Sequence, residues 1–150
     1  MRVAGAYRLA MPRESAYALL QDPAILARCM PGCESLEKTG EDEYAMRMTM
    51  ALAAVSGKFD GKVRITEAHA PTQFRLQVEG TGKIGFMRGD GLLTLTEAES
   101  DTDVRYEGEV HVGGTIGGVG QRLIDGTAKM LIKRFFDKLG TEAVRARGAG

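Results

Sequence analysis

Any chemistry in this chain has to come from a short set of residues. Cys29 and Cys33 bracket Met30-Pro31-Gly32. A zinc site needs four ligands, and no histidine lies nearby to help complete one. Their spacing is also one residue too long for a C-x-x-C redox pair. Free thiols of this kind behave as small buried hydrophobes, although the turn they flank could also form a lid over a cavity. His69 and His111 fall on loop or solvated positions, neither beside a plausible nucleophile. The glycines from Gly113 to Gly120 precede a helical pattern but lack the Lys-Ser/Thr of a phosphate loop and do not fit G-x-G-x-x-G. Tight turning and close approach of helix to sheet explain them better. No Ser-His-Asp or Cys-His set, carboxylate dyad or metal cluster emerges, so the sequence does not support an enzyme.

Binding chemistry is better represented. Met46, Met48 and Met50 alternate with Arg47 and Thr49, which places three thioethers on one face of one strand. Such a row makes an adaptable, polarizable wall for a flexible apolar guest. It could equally fill gaps between a sheet and a helix, and well-packed cores use Met sparingly. The lack of Trp and the 20 glycines favour a hollow interior. Arg88 and Asp90, within Gly-Phe-Met-Arg-Gly-Asp-Gly, form either a surface turn or a polar contact to a ligand head group.

The elements that must hold such a wall can be read from periodicity. From Ile116 to Leu139 the apolar residues Val119, Leu123, Ile124, Ala128, Leu131, Ile132, Phe135, Phe136 and Leu139 keep the three-and-four spacing of one helical face. This predicts a helix over about residues 117–143, long enough to lie across a small sheet. Charge interrupts the stripe too often for it to span a membrane. In front of it the chain is mostly alternating. Arg2–Ala10 reads as a strand; Pro12 and Asp22-Pro23 start two short helices; Pro31-Gly32 and Glu41-Asp42 make turns.

Further strands are expected at Cys33–Lys38, at Glu43–Val55 up to a Ser56-Gly57 turn, from Phe59 to Thr66, and from Phe74 to Glu79 after an Ala70-Pro71-Thr72 turn. A glycine-rich piece from Gly80 to Gly91 then leads into Leu93 and Leu95, residues 97–103 read as a loop, and a last strand carries Val104, Tyr106, Val110 and Val112. Bulges and sharp curvature are expected at Gly61, Gly80, Gly82, Gly85, Gly89 and Gly91. Six or seven antiparallel strands with one apolar face need a cover, and the terminal helix is the only element large enough. The expected fold is therefore α+β, a curved antiparallel sheet gripping a long C-terminal helix.

Composition sets the outer limits. The 150 residues suit one domain, read as residues 1–145 with a flexible end at 146–150. Hydrophobic content of 43% and charged content of 27% are those of a soluble globular protein. Twenty Lys/Arg balance twenty Asp/Glu, and no basic-aromatic motif appears, which argues against nucleic acid. Charge is uneven, however: residues 121–147 hold seven Lys/Arg against three Asp/Glu, a net +4. This fits either a solvated helix face or a weak attraction to an anionic membrane or acidic partner. Two cysteines and no signal-peptide pattern point to a reducing cytoplasm.

Two segments, DPAILARCMPGCESLE (Asp22 to Glu37) and VGGTIGGVGQRLIDGTAKMLIKRFF (Val112 to Phe136), closely resemble the CoxG family of carbon monoxide dehydrogenase accessory proteins. That family belongs to the START-like (SRPBCC) superfamily with its helix-grip fold, and the resemblance covers essentially the whole chain. It implies a non-catalytic accessory protein of a carbon monoxide dehydrogenase-type molybdenum hydroxylase. Such a protein would bind an isoprenoid quinone or lipid between sheet and helix, without a covalent cofactor, and link the enzyme to the inner face of the cytoplasmic membrane. Many members continue into a Pro-rich linker and hydrophobic tail, neither of which precedes Gly150 here. A ligand-free adaptor that recruits the oxidoreductase, and a polyketide cyclase-like enzyme of the same superfamily, are the alternatives. The expected ligand wall comprises Met46, Met48, Met50, Phe59, Val63, Phe74, Leu76, Phe86, Leu93, Leu131 and Phe135. Tyr44 and Tyr106 are expected as inward hydroxyls, with Arg88 at the rim.

Overall fold

The computed structural model describes residues 1–52 and 55–149. Its elements run β1 (Arg2–Leu9), α1 (Arg13–Leu19), α2 (Pro23–Cys29), β2 (Cys33–Gly40), β3 (Glu43–Leu52), β4 (Val55–His69), β5 (Gln73–Gly82), β6 (Gly85–Ala98), β7 (Asp101–Gly113), a 3-10 turn (Gly114–Val119) and α3 (Gln121–Ala149). All seven strands form one antiparallel sheet in the order β1-β7-β6-β5-β4-β3-β2. Strands β2 to β7 are a meander, and β1 returns to pair with the last of them. The sheet curves around α3, as the alternating apolar face requires.

The short helices start where the sequence expects. Pro23 takes the first position of α2, while Asp22 Oδ1 accepts from the Ala24 amide at 3.0 Å. Pro12 plays the flanking role at α1 without a side-chain cap.

Four boundaries differ from the sequence expectation. Val55 already belongs to β4, paired with Leu52, so Ser56 and Gly57 lie within a strand and not at a turn. The glycine-rich piece is strand throughout, with β5 and β6 paired in unbroken register from Gln73↔Thr94 to Gly82↔Gly85. Its glycines therefore hold no bulges; the register shifts lie in β2–β3 and between Thr66 and His69. At Gly61 a Cβ would collide with Glu79 O, so glycine there permits the close approach of β4 and β5. Residues 97–103 form a tight hairpin in place of a loop, with Ala98 paired to Asp101 and Glu99 at φ +61°. Thr102 breaks the polarity pattern there because it is buried and donates its hydroxyl to Met11 O at 2.8 Å.

The fourth difference concerns the helix. Gly114–Val119 is a 3-10 turn and α3 starts only at Gln121, after Gly120 at φ +104°. At Gly114 (φ +78°) an added Cβ would lie 2.6 Å from the Gly85 Cα of β6, so the position has no space for a side chain. The expected close approach of helix to sheet is not what Gly118 and Gly120 provide, since an added Cβ on either would meet nothing within 4 Å. Helical backbone continues to Ala149.

The interior is solid at one end and looser at the other. Phe136, Leu139 and Ala143 of α3 meet Ala16, Tyr17, Leu20 and Cys29 of the short helices over Tyr44, Met46, Val63, Ile65, Phe74, Leu93, Leu95 and Val104. Phe136 is stacked between Tyr7 (centroids 4.4 Å apart, planes at 9°) and Tyr106 (5.3 Å, 17°), which pins α3 to β1 and β7. Arg28 holds Glu142 through two bonds of 3.1 Å, which ties α2 to α3. At the opposite end a smaller cluster of Met50, Phe59 and Ile116 is flanked by half-buried Ile84, Met87, Val112 and Leu131.

Candidate functional site

Between the sheet and the first half of α3 lies an open hollow of about 210 Å³. Its floor follows from cross-strand register. Val78 on β5, Gly89 on β6 and Val110 on β7 are direct partners in one row, and Gly91 and Gly108 are partners in the row beside it. Side chains that are small or absent leave space where Phe74, Leu93 and Val104 fill it further along the same strands. Met50, Met87, Val112 and Ile116 close the walls, and Ile124, Thr127, Ala128, Leu131 and Ile132 form the roof. The surface is almost wholly apolar, so an apolar guest gains about 25 cal/mol per Å² removed from water.

The structure brings together only part of the expected site. Met50 and Leu131 line the hollow, and Phe59 is buried in the cluster with Met50. Tyr44, Met46, Val63, Phe74 and Leu93 are core packing, and Met48, Leu76, Tyr106 and Phe135 are half-buried against that core. The tyrosines therefore do not serve as cavity hydroxyls: Tyr44 is enclosed, and Tyr106 lies flat on Phe136, where burial pushes its pKa up. Phe86 and Arg88 project from the outer face, with the Arg88 guanidinium 5.7 Å from the Phe86 ring centroid, so Arg88 does not rim the cavity by its side chain. Leu123, expected on the buried stripe, is 48% exposed. Val78, Met87, Gly89, Val110, Val112, Ile116, Ile124, Thr127, Ala128 and Ile132 are wall residues beyond the expected set. Extending the Leu93–Leu95 alternation backwards finds Gly91, Gly89 and Met87 facing inwards, and Arg88 and Phe86 outwards.

The other candidate groups stay outside the hollow. Cys29 is fully buried, and Cys33 donates to Ser35 O at 3.4 Å; burial pushes both thiols up. His69 is exposed, and exposed His111 lies 3.5 Å from Glu109. A larger concavity, about 640 Å³, lies on the outer face among Lys62, Arg64, Arg75, Glu79, Arg88, Asp90, Glu109 and His111. Lys62, Arg64, Arg75 and Asp90 are paired across strands, as Arg75 is to Asp90 at 2.6 Å and Arg64 to Glu43 at 3.6 Å, and His111 lies beside Glu109 of its own strand. That is the ordinary organisation of a solvated sheet face. Among the described residues, no group of three or more His, Cys, Asp or Glu is placed to hold a metal ion, and no helix is long and apolar enough to cross a membrane.

A seven-stranded antiparallel sheet curved on a long C-terminal helix, with two short helices after its first strand, defines a START-like helix-grip protein. Solved structures agree. A START superfamily protein from Mycobacterium smegmatis superposes with a TM-score of 0.75 at 8% identity, covering 97% of this chain and 98% of that one. A conserved protein from Geobacillus kaustophilus superposes with a TM-score of 0.94 at 35% identity, over 97% of both chains. No curated protein matches the chain. The chain belongs to the carbon monoxide dehydrogenase CoxG family, whose model matches residues 5–144.

Proposed function

We propose that this protein is a non-catalytic accessory of a carbon monoxide dehydrogenase-type molybdenum hydroxylase that holds an apolar small molecule beneath α3. The observation that carries this reading is the hollow itself, apolar on sheet and helix sides and left open by glycine and valine where the rest of the sheet is filled. An isoprenoid quinone or a lipid suits such a wall, because neither needs a charged anchor. The volume is below the roughly 300–1,000 Å³ of drug-sized ligand sites, so only part of a long guest is enclosed and its tail leaves through the open side. Family membership supports the choice of partner enzyme. The cytoplasmic face of the membrane is the corresponding location, and the basic α3 fits it: each Lys or Arg near an anionic surface is worth about 1 kcal/mol.

The test is native mass spectrometry with solvent extraction on protein purified from its own host. A stoichiometric quinone or lipid is the expected result. Protein that is empty after gentle purification, and that takes up neither compound when offered, would favour a ligand-free adaptor.

A further inference from the structure

The two ends of the sheet are charged in opposite senses. Connections β2–β3, β4–β5 and β6–β7 share one end, where residues 39–43, 66–73 and 97–103 contain acidic residues and no Lys or Arg. Connections β3–β4, β5–β6 and β7–α3 share the other. There residues 50–58, 80–89 and 110–124 contain no Asp or Glu and supply Lys58, Lys83, Arg88 and Arg122, all exposed. Among the described residues, Lys58, Lys83 and Arg122 have no carboxylate within salt-bridge distance. Arg122 also stands at the start of α3, whose first turn has no acidic residue, the reverse of what the helix dipole favours. An anion outside the molecule would satisfy it.

This basic end is apolar as well. Phe86 is 40% exposed just after the β5–β6 turn, and Leu123 is 48% exposed just after the 3-10 turn. The hollow lies behind them, walled by Met50, Met87, Val112 and Ile116 from the same connections and strand ends. We propose that this end of the molecule is a docking surface for an anionic lipid bilayer, with Phe86 and Leu123 entering between headgroups and the four cations holding phosphates. A protein partner fits less well. Two apolar side chains beside the exposed glycines 114, 117, 118 and 120 supply little of the roughly 800 Å² per partner that a stable interface buries. A bilayer needs no continuous area, because isolated apolar side chains sink to the acyl boundary while cations stay at its surface. Docked this way, the hollow adjoins the acyl region, and an apolar guest passes between them without crossing water. That transfer rests on the reading of the hollow as the ligand site; the docking does not.

The chain contains no tryptophan, so single reporters test the orientation. Phe86→Trp, Leu123→Trp and Val144→Trp, the last at an exposed position near the far end of α3, are mixed with vesicles of phosphatidylcholine alone or with phosphatidylglycerol. With the anionic vesicles the first two should shift their emission to the blue and be quenched by brominated acyl chains, and Val144→Trp should do neither. Each Lys or Arg near an anionic surface is worth about fivefold in affinity, so Lys83→Gln/Arg122→Gln should bind those vesicles about 25-fold more weakly. Lys38→Gln/Arg105→Gln removes the same charge about eight residues, or about 26 Å, back along the strands. That exceeds the Debye length of about 10 Å, so it should cost less than about twofold. Equal losses in the two double variants, a shift confined to Val144→Trp, or equal binding to neutral vesicles would each overturn the docking surface. So would a wild type that binds no anionic vesicle, with the ligand site left standing. Protein that docks as described but yields no guest on extraction keeps the docking surface and sinks the ligand reading.

Discussion

Filling the hollow from its floor separates a ligand site from a packing defect. Gly89 is the position to change. It lies between Val78 and Val110 on the inner face, it is not in the left-handed region, and the nearest atom to an added Cβ is Glu109 O at 4.0 Å. Gly89→Val therefore places three carbons into space that is already apolar. At about 0.8 kcal/mol per buried methylene the transfer gain is roughly 2.4 kcal/mol. Removing a strand glycine adds about 0.5–1 kcal/mol, and imperfect fit takes some of this back. Ligand-free Gly89→Val should be about 1–3 kcal/mol more stable than wild type by urea denaturation. It should also lose binding of a small apolar quinone, tetramethylbenzoquinone, offered as a probe of the hollow. Destabilisation by more than about 1 kcal/mol at an unchanged urea m-value would mean that the space is not there. Stabilisation with unchanged binding would mean that the guest sits elsewhere.

The other end of the molecule should answer differently. Phe136→Ala removes the ring between Tyr7 and Tyr106 and should cost about 3–5 kcal/mol, read as a lower denaturation midpoint; a loss below about 1 kcal/mol would refute the pinning of α3. Arg28 holds the Glu142 carboxyl below its usual range. A depressed carboxylate contributes stability that is present above its unfolded pKa and lost as pH falls through the folded value. Stability should therefore decline on the acid side below the ordinary glutamate pKa, and Glu142→Gln should flatten that limb; an identical acid limb in the variant would exclude the pair as its source. Fully buried Cys29 should resist a thiol reagent in native protein and react only on unfolding, since burial disfavours its thiolate, and half-buried Cys33 should react first; rapid native labelling of Cys29 would contradict its burial.

Most of the architecture is legible in the sequence because period-two and period-3.6 patterns are direct records of burial. Tyr44-Met46-Met50, Phe59-Val63-Ile65 and Ile124-Leu131-Phe136-Leu139 all face where their spacing places them. Glycine is where periodicity falls silent. It has no side chain to reveal a face, so β5 and β6 look interrupted between Gly80 and Gly91, although their ladder is continuous. The same residues that hide the strand also create the hollow, and this is why the alternation directs attention to the large side chains Met46, Phe74 and Leu93. Those large side chains instead fill the core. The start of α3 is obscured for a related reason: Val119 fits the stripe, but Gly120 at φ +104° separates it from the helix.

The hollow is energetically costly in a domain of this size. At about 24 cal/mol per Å³ of empty core, its volume of about 210 Å³ corresponds to an upper figure of about 5 kcal/mol, reduced because one side is open. That is comparable with the whole stability of a small domain. The solid end must offset it, and it is built to do so. The stacked Tyr7-Phe136-Tyr106 rings, the Arg28–Glu142 pair and the buried Thr102–Met11 bond all lie away from the hollow. Half of α3 is thereby fixed to β1, β7 and α2 without support from its first turns. A guest that fills the hollow returns part of its cost as binding energy.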